Sequence, residues 1–130
     1  MTVTRARPAG ADPRPVVGSG PAGVTVHGGR CLACAHANPT AAPRCPRCGG
    51  ETTPAAFGPR GTIWATTTIH VGRGDRAEPY ALAYVDLDDG PRVLAHVRDG
   101  VAHPPAVADR VRLSGTTALG DVEVEVEARP

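Results

Sequence analysis

Four residues of this 130-residue chain are best suited to chemistry by type and spacing: Cys31, Cys34, Cys45 and Cys48, its complete set of cysteines. They lie in RCLACAHANPTAAPRCPRCGG, residues 30–50, as two Cys-x-x-Cys pairs separated by ten residues. Two residues between thiols let both sulfurs of a knuckle turn toward one point. Two knuckles then supply four soft ligands in a tetrahedron, the arrangement zinc takes in structural sites. The same spacing also serves rubredoxin-type iron, since spacing does not choose the metal. A redox Cys-x-x-Cys motif accounts for one pair but not two. Disulfides need an oxidising compartment. Four thiolates leave no open coordination position, so the ion is not expected to activate water. Its expected role is structural: one Zn2+ holding together a module of about twenty residues with almost no core of its own, so that binding energy becomes folding energy. Arg30, Arg44 and Arg47, close in sequence, are expected to offset the negative charge of a four-thiolate centre.

The remaining polar residues form no comparable set. Of five histidines, His27, His36, His70, His96 and His103, none has a Ser, an uncommitted Cys or a paired carboxylate nearby in sequence to make a nucleophile set; His36, near the metal window, could replace a cysteine, but four thiols already suffice. Asp86, Asp88 and Asp89 read as a solvated hairpin tip. Arg73 and Arg76 flank a turn, where a guanidinium fork could meet a phosphate group. Trp64 is expected to pack in or beside the main core, or to face a partner. No catalytic residue is expected.

Bulk properties fit one modest domain, or one domain with a small satellite. A chain of this size buries about two-thirds of the surface its unfolded form exposes. Hydrophobic residues make up 41% and aromatics 3%, so the core must come mainly from Val, Leu, Ile and Ala. Residues 1–60 hold seven arginines against Asp12 and Glu51, a net +5, whereas 61–130 hold seven against eleven carboxylates, a net −4. A basic front and an acidic back predict two physically different units. All fourteen cations are Arg, as a GC-rich coding bias would produce. No apolar run resembles a secretory signal or a membrane span, so a soluble, cytoplasmic protein is expected.

Positioning the cysteines requires an architecture, and the later sequence supplies one. GTIWATTTIHV, YALAYVDLDD, PRVLAHV, RVRLSGTTAL and DVEVEVEA read as five strands after Gly61. The last alternates Val122, Val124 and Val126 against Glu123, Glu125 and Glu127, a strand with one wet face. Asp89-Gly90 is a hairpin signal between the second and third. Five strands in about 70 residues with little helix must close or pack to hide their edges. The expected fold class is mainly β: an N-terminal rubredoxin-like zinc ribbon followed by a five-stranded OB-type barrel, with an SH3-like barrel as the structural alternative. The expected division is a flexible Pro/Gly-rich arm over 1–29, the ribbon over 30–50, a connector over 51–60 and the barrel over 61–130.

This order resembles the zinc-ribbon plus OB-fold family of acyl-CoA-associated proteins, long catalogued as a domain of unknown function. The likeness is carried by Cys31-Leu32-Ala33-Cys34, by Arg44-Cys45-Pro46-Arg47-Cys48-Gly49, by Gly61-Thr62-Ile63-Trp64 and by AYVDLDDGPRVLAHV, Ala83 to Val97. The resemblance implies a subunit without activity of its own. Its partner would be a thiolase-like protein (thiolase, acyltransferase or lipid-transfer-type aldolase of steroid side-chain breakdown) or an enoyl-CoA hydratase, joined in a hetero-oligomer. Acyl-CoA would be a shared ligand, with the subunit shaping the tunnel for its pantetheine arm. Members often carry an N-terminal helical segment; residues 1–29 here lack that pattern. Two other functions compete. Zinc ribbons and OB folds also bind single-stranded nucleic acid, but that needs a basic groove and stacking aromatics. This barrel is acidic and offers Trp64, Tyr80 and Tyr84. An independent rubredoxin-like redox protein would carry coloured iron.

Overall fold

Alternation decides the elements. In a computed structural model, which describes residues 12–72, 74–76 and 78–128, the chain runs through β1 (Val16–Gly20), β2 (Gly23–Cys31), β3 (Ala37–Asn38), β4 (Thr52–Phe57), β5 (Arg60–Ile69), β6 (Tyr80–Leu87), β7 (Arg92–Val97), β8 (Arg110–Thr116) and β9 (Val122–Val126). The five strands expected after Gly61 are β5 to β9. In β6, Ala81, Ala83, Val85 and Leu87 point inward. In β9, Val122 and Val124 are buried and Glu125 is exposed.

β5 to β9 close into a barrel of order β5-β6-β7-β9-β8. Counted within the barrel this is 1-2-3-5-4, the Greek-key path of an OB fold, and it sets the SH3-like alternative aside. The strands β5, β6 and β7 form an antiparallel meander. β8 returns to β5 through Arg60↔Arg112, Gly61↔Val111 and Thr62↔Arg110. β7 and β9 run parallel and share two rungs, His96↔Glu123 and Val97↔Val124. A register shift between Ile63 and Ala65 makes Trp64 a β-bulge. Such an extra residue re-aims a side chain, and Trp64 is 53% exposed.

The front of the chain differs from expectation. The flexible arm predicted over 1–29 is, from Val16 onward, the hairpin β1–β2; residues 1–11 lie outside the described residues. The predicted connector over 51–60 is largely β4, which pairs with β2 from Val26↔Phe57 to Cys31↔Thr52. β2 thus sits centrally, with β1 and β3 on one side and β4 on the other. Glycine was the misleading signal. A Cβ on Gly28 would overlap the carbonyl oxygen of Asn38, so this glycine marks close backbone approach inside a sheet, not a linker.

The two sheets share one core. Val26 of β2 and Phe57 of β4 are buried together with Ile63, Val85, Val111, Leu113 and Val124 of the barrel. Each such side chain contributes about 1.5–3 kcal/mol when fully buried. Charge asymmetry along the sequence therefore does not separate two independent bodies. The Gly58-Pro59 peptide between β4 and β5 is cis. Among the described residues, no helix is long and apolar enough to cross a membrane.

Candidate metal centre

The first knuckle starts where β2 ends. The N–H of Cys31 donates to the His36 carbonyl at 2.9 Å, and the N–H of Ala35 donates to the Cys31 carbonyl at 3.1 Å. The second knuckle repeats the design: the N–H of Gly49 donates to the Cys45 carbonyl at 2.8 Å, and the N–H of Cys45 to the Gly50 carbonyl at 2.8 Å. Both knuckles pass through the left-handed region just after the second cysteine, at Ala35 (φ 65°) and at Gly49 (φ 78°). The N–H of Leu32 donates to the Glu51 carbonyl at 2.8 Å and ties the first knuckle to the strand leaving the second.

All four sulfurs gather within 4.8 Å of one another. Cys31 Sγ lies 3.5 Å from Cys48 Sγ, and Cys34 Sγ lies 3.8 Å from Cys45 Sγ. A tetrahedron with Zn–S bonds of about 2.3 Å has sulfurs about 3.8 Å apart, so the donor set fits one metal ion of that size. Cys31 and Cys45 are buried while Cys34 and Cys48 are exposed. Gly50 completes the cradle: a Cβ there would sit 3.2 Å from Cys31 Sγ and 3.3 Å from Cys48 Sγ.

Electrostatics favours a cation at this point. The backbone N–H of Cys34 holds the Cys31 thiol down to about 6 against a desolvation effect, helped by the Ala33 N–H. Both amides lie 3.3 Å from Cys31 Sγ. The Gly50 N–H favours the Cys48 thiolate, but the thiols of Cys31, Cys34 and Cys45, together with desolvation, push it up to about 12. Crowding four sulfurs together opposes ionising all of them at once, and a bound cation would offset that. Negative charge on the sulfurs is met by backbone amides, including Arg47 N–H at 3.3 Å from Cys45 Sγ. The Arg30 guanidinium makes its hydrogen bonds to the carbonyls of Ala35, in the first knuckle, and of Asp89.

The other sequence candidates lie apart from the sulfurs. His96 lies 3.4 Å from Asp121 Oδ2 and stacks on Tyr80 at 5.0 Å. Sequence order hid this carboxylate neighbour, because the β8–β9 hairpin delivers it. The aspartates at the β6–β7 turn are partnered by arginines of adjacent strands: Asp86 with Arg92 at 2.6 Å and Asp88 with Arg110 at 2.6 Å. Arg73 lies outside the described residues, as does the side chain of Arg76. Trp64 is on the outer face, with the Arg92 guanidinium 3.7 Å above its ring and the Tyr84 ring 6.2 Å away, edge-on.

Residues 55–116 match a family model described as the ChsH2 C-terminal OB-fold domain. Among the solved structures that share the fold, two are informative. One, described as an Ltp2–ChsH2 (DUF35) aldolase, aligns with a TM-score of 0.63 and 20% identity over 78% of this chain and 84% of that one. The other, a DUF35-family protein of unknown function from Sulfolobus solfataricus, aligns with a TM-score of 0.59 and 15% identity over 79% of this chain and 76% of that one. No curated protein matches the chain. The resemblance carried by the two knuckles and the Ala83–Val97 hairpin is thus borne out by the barrel's family match and by the fold of these neighbours.

Proposed function

We propose, from a barrel of the ChsH2 C-terminal OB-fold type joined to a four-cysteine ribbon, that this chain is a non-catalytic, zinc-containing accessory subunit. It docks in the cytoplasm on a thiolase-like or hydratase-like protein and helps bind or channel that partner's acyl-CoA. The observation that carries the proposal is the union of the two units. The family match begins in β4, at residue 55, and the ribbon strands supply Val26 and Phe57 to the barrel core. Cys31, Cys34, Cys45 and Cys48 hold one structural Zn2+ in a closed site that shapes the ribbon. The similar structure described as an Ltp2–ChsH2 aldolase supports a thiolase-like enzyme as the partner class.

One surface suits such a partner. Trp64, Tyr84 and Leu94 are exposed together on the outer face of β5, β6 and β7, beside a cleft of about 300 Å³ lined by Thr66, Leu82, Tyr84 and Leu94. Trp and Tyr are the side chains that anchor protein interfaces. The same aromatics would serve a single-strand binder, but among the described residues Arg92, over Trp64, is paired with Asp86 and Arg110 with Asp88, which argues against a basic groove there.

Co-expression with the products of neighbouring open reading frames, followed by size-exclusion chromatography, tests the proposal. The expected result is a stable hetero-oligomer holding about one zinc per copy of this chain. The isolated chain is expected to turn over no acyl-CoA. Turnover by the chain alone, or a chain that stays solitary and shifts single-stranded DNA in a salt-dependent manner, would overturn it.

A further inference from the structure

Arg30 immediately precedes the first cysteine, and its guanidinium bonds to two backbone carbonyls. Nη1 donates to the Ala35 carbonyl at 2.9 Å, and Nη2 donates to the Asp89 carbonyl at 2.8 Å. Ala35 belongs to the first knuckle. Asp89 belongs to the β6–β7 turn of the barrel, 59 residues further along. Both acceptors stand in left-handed backbone, with φ of 65° and 52°. One guanidinium therefore bridges a strained turn of the ribbon and a strained turn of the barrel.

The surroundings make this bridge stiff. The guanidinium carbon lies 5.4 Å from the centroid of the Phe57 ring. On Phe57 rests Gly90, where a Cβ would come within 3.0 Å of the ring. The turn itself is closed by Gly90 N–H donating to the Leu87 carbonyl at 3.0 Å and Leu87 N–H donating to the Pro91 carbonyl at 3.1 Å. A planar fork with donors in fixed directions cannot follow one carbonyl without leaving the other.

We infer that Arg30 is a latch that carries the metal state of the four-cysteine knuckles into the β6–β7 turn of the barrel. The inference rests on the four cysteines being a metal site. With the ion bound, the first knuckle is fixed and presents the Ala35 carbonyl to Nη1. When the ion leaves, the knuckle relaxes, Arg30 loses one of its two acceptors, and the Asp89 carbonyl loses a fixed donor. The turn then opens more often, although it contributes no ligand.

Amide hydrogen exchange on the zinc-loaded full chain, before and after EDTA, tests this. In the native sequence EDTA should speed exchange at Leu87 and Gly90 by about tenfold beyond any change at Val111 and Val124, whose protection follows the stability of the whole fold. Arg30→Met keeps an apolar stem over Phe57 but removes both donors. In that variant the two turn amides should exchange fast even with zinc bound, and EDTA should add less than about twofold. Arg30→Lys, which retains charge but lacks the fork, should resemble Arg30→Met. Ribbon amides that respond to EDTA while Leu87 and Gly90 do not would overturn the latch and leave the metal site standing. So would an Arg30→Met turn that responds as the native one does. Absence of any response at residues 31–50 would overturn the metal site and the latch with it. The native chain answers without substitution, so the test survives a variant that fails to fold.

Discussion

Trp64 and Arg92 lie face to face, with the guanidinium carbon 3.7 Å above the indole centroid. Arg92 is held in place by Asp86, whose Oδ1 lies 2.6 Å from its Nε. The bulge at Trp64 turns the indole outward, and the Arg92 cation rests over its ring. If this face receives the partner, Trp64→Ala should weaken the complex at least tenfold and leave thermal stability nearly unchanged. Calorimetric titration with the co-expressed partner, alongside a melting curve, gives both readings. Unchanged affinity would move the interface elsewhere.

Cys45→Ser should abolish metal retention and unfold the ribbon. Because Val26 and Phe57 reach into the barrel core, the damage should not stop at the ribbon. A lower melting temperature for the whole chain is expected, together with loss of bound zinc by elemental analysis. Full metal content after the substitution would exclude Cys45 as a ligand.

The two knuckles differ by one side chain at their left-handed position. Gly49→Ala meets nothing within 4 Å, so its cost is purely conformational, about 1 kcal/mol. Ala35→Gly at the matching position of the first knuckle should stabilise the chain by about the same amount. Denaturant unfolding of the zinc-loaded protein measures both, and equal signs for the two changes would contradict the matched geometry.

Gly28→Ala should be far more damaging than its size suggests. The added methyl would overlap the Asn38 carbonyl, and backbone cannot yield as a flexible side chain can. A loss of about 2–3 kcal/mol is expected, with β3 displaced from β2. A silent substitution would mean that the β2–β3 contact is looser than described.

Asp88 offers the pH test. Its hydrogen bonds to Arg110 hold the carboxyl below the usual carboxylate range. A depressed folded-state value means that the stabilisation is present above the unfolded value and is lost as pH falls through the folded one. The pair is half exposed, so solvent screening limits it to about 0.5–1 kcal/mol at most. Asp88→Asn should therefore lower stability slightly at neutral pH and leave it unchanged at strongly acid pH, measured as melting temperature against pH.

Much of the barrel is legible in the sequence because a half-buried strand writes its own pattern. Val122, Val124 and Val126 against three glutamates need no tertiary information. The sulfur cluster is legible for a similar reason: two residues inside each pair already bring the thiols together. The ribbon's outer strands are not legible. In VVGSGPAGVTVHGG the glycines look like linker composition, and their reason lies in contacts such as Gly28 with Asn38. Gly90 misleads differently. It looks like the left-handed residue of the hairpin, but Asp89 holds that conformation and Gly90 is small because Phe57 lies against it. Pairings such as His96 with Asp121, or Arg30 with Asp89, depend on topology that no local pattern encodes.

The two rungs that join β7 to β9 complete a cylinder stitched unevenly. Every other junction around the barrel is antiparallel and carries at least three residue pairs. Thermal breathing will concentrate at the thin seam, where His96 and Val97 sit. Mechanical load or gentle heating should part the wall there first, long before the meander of β5, β6 and β7 gives way.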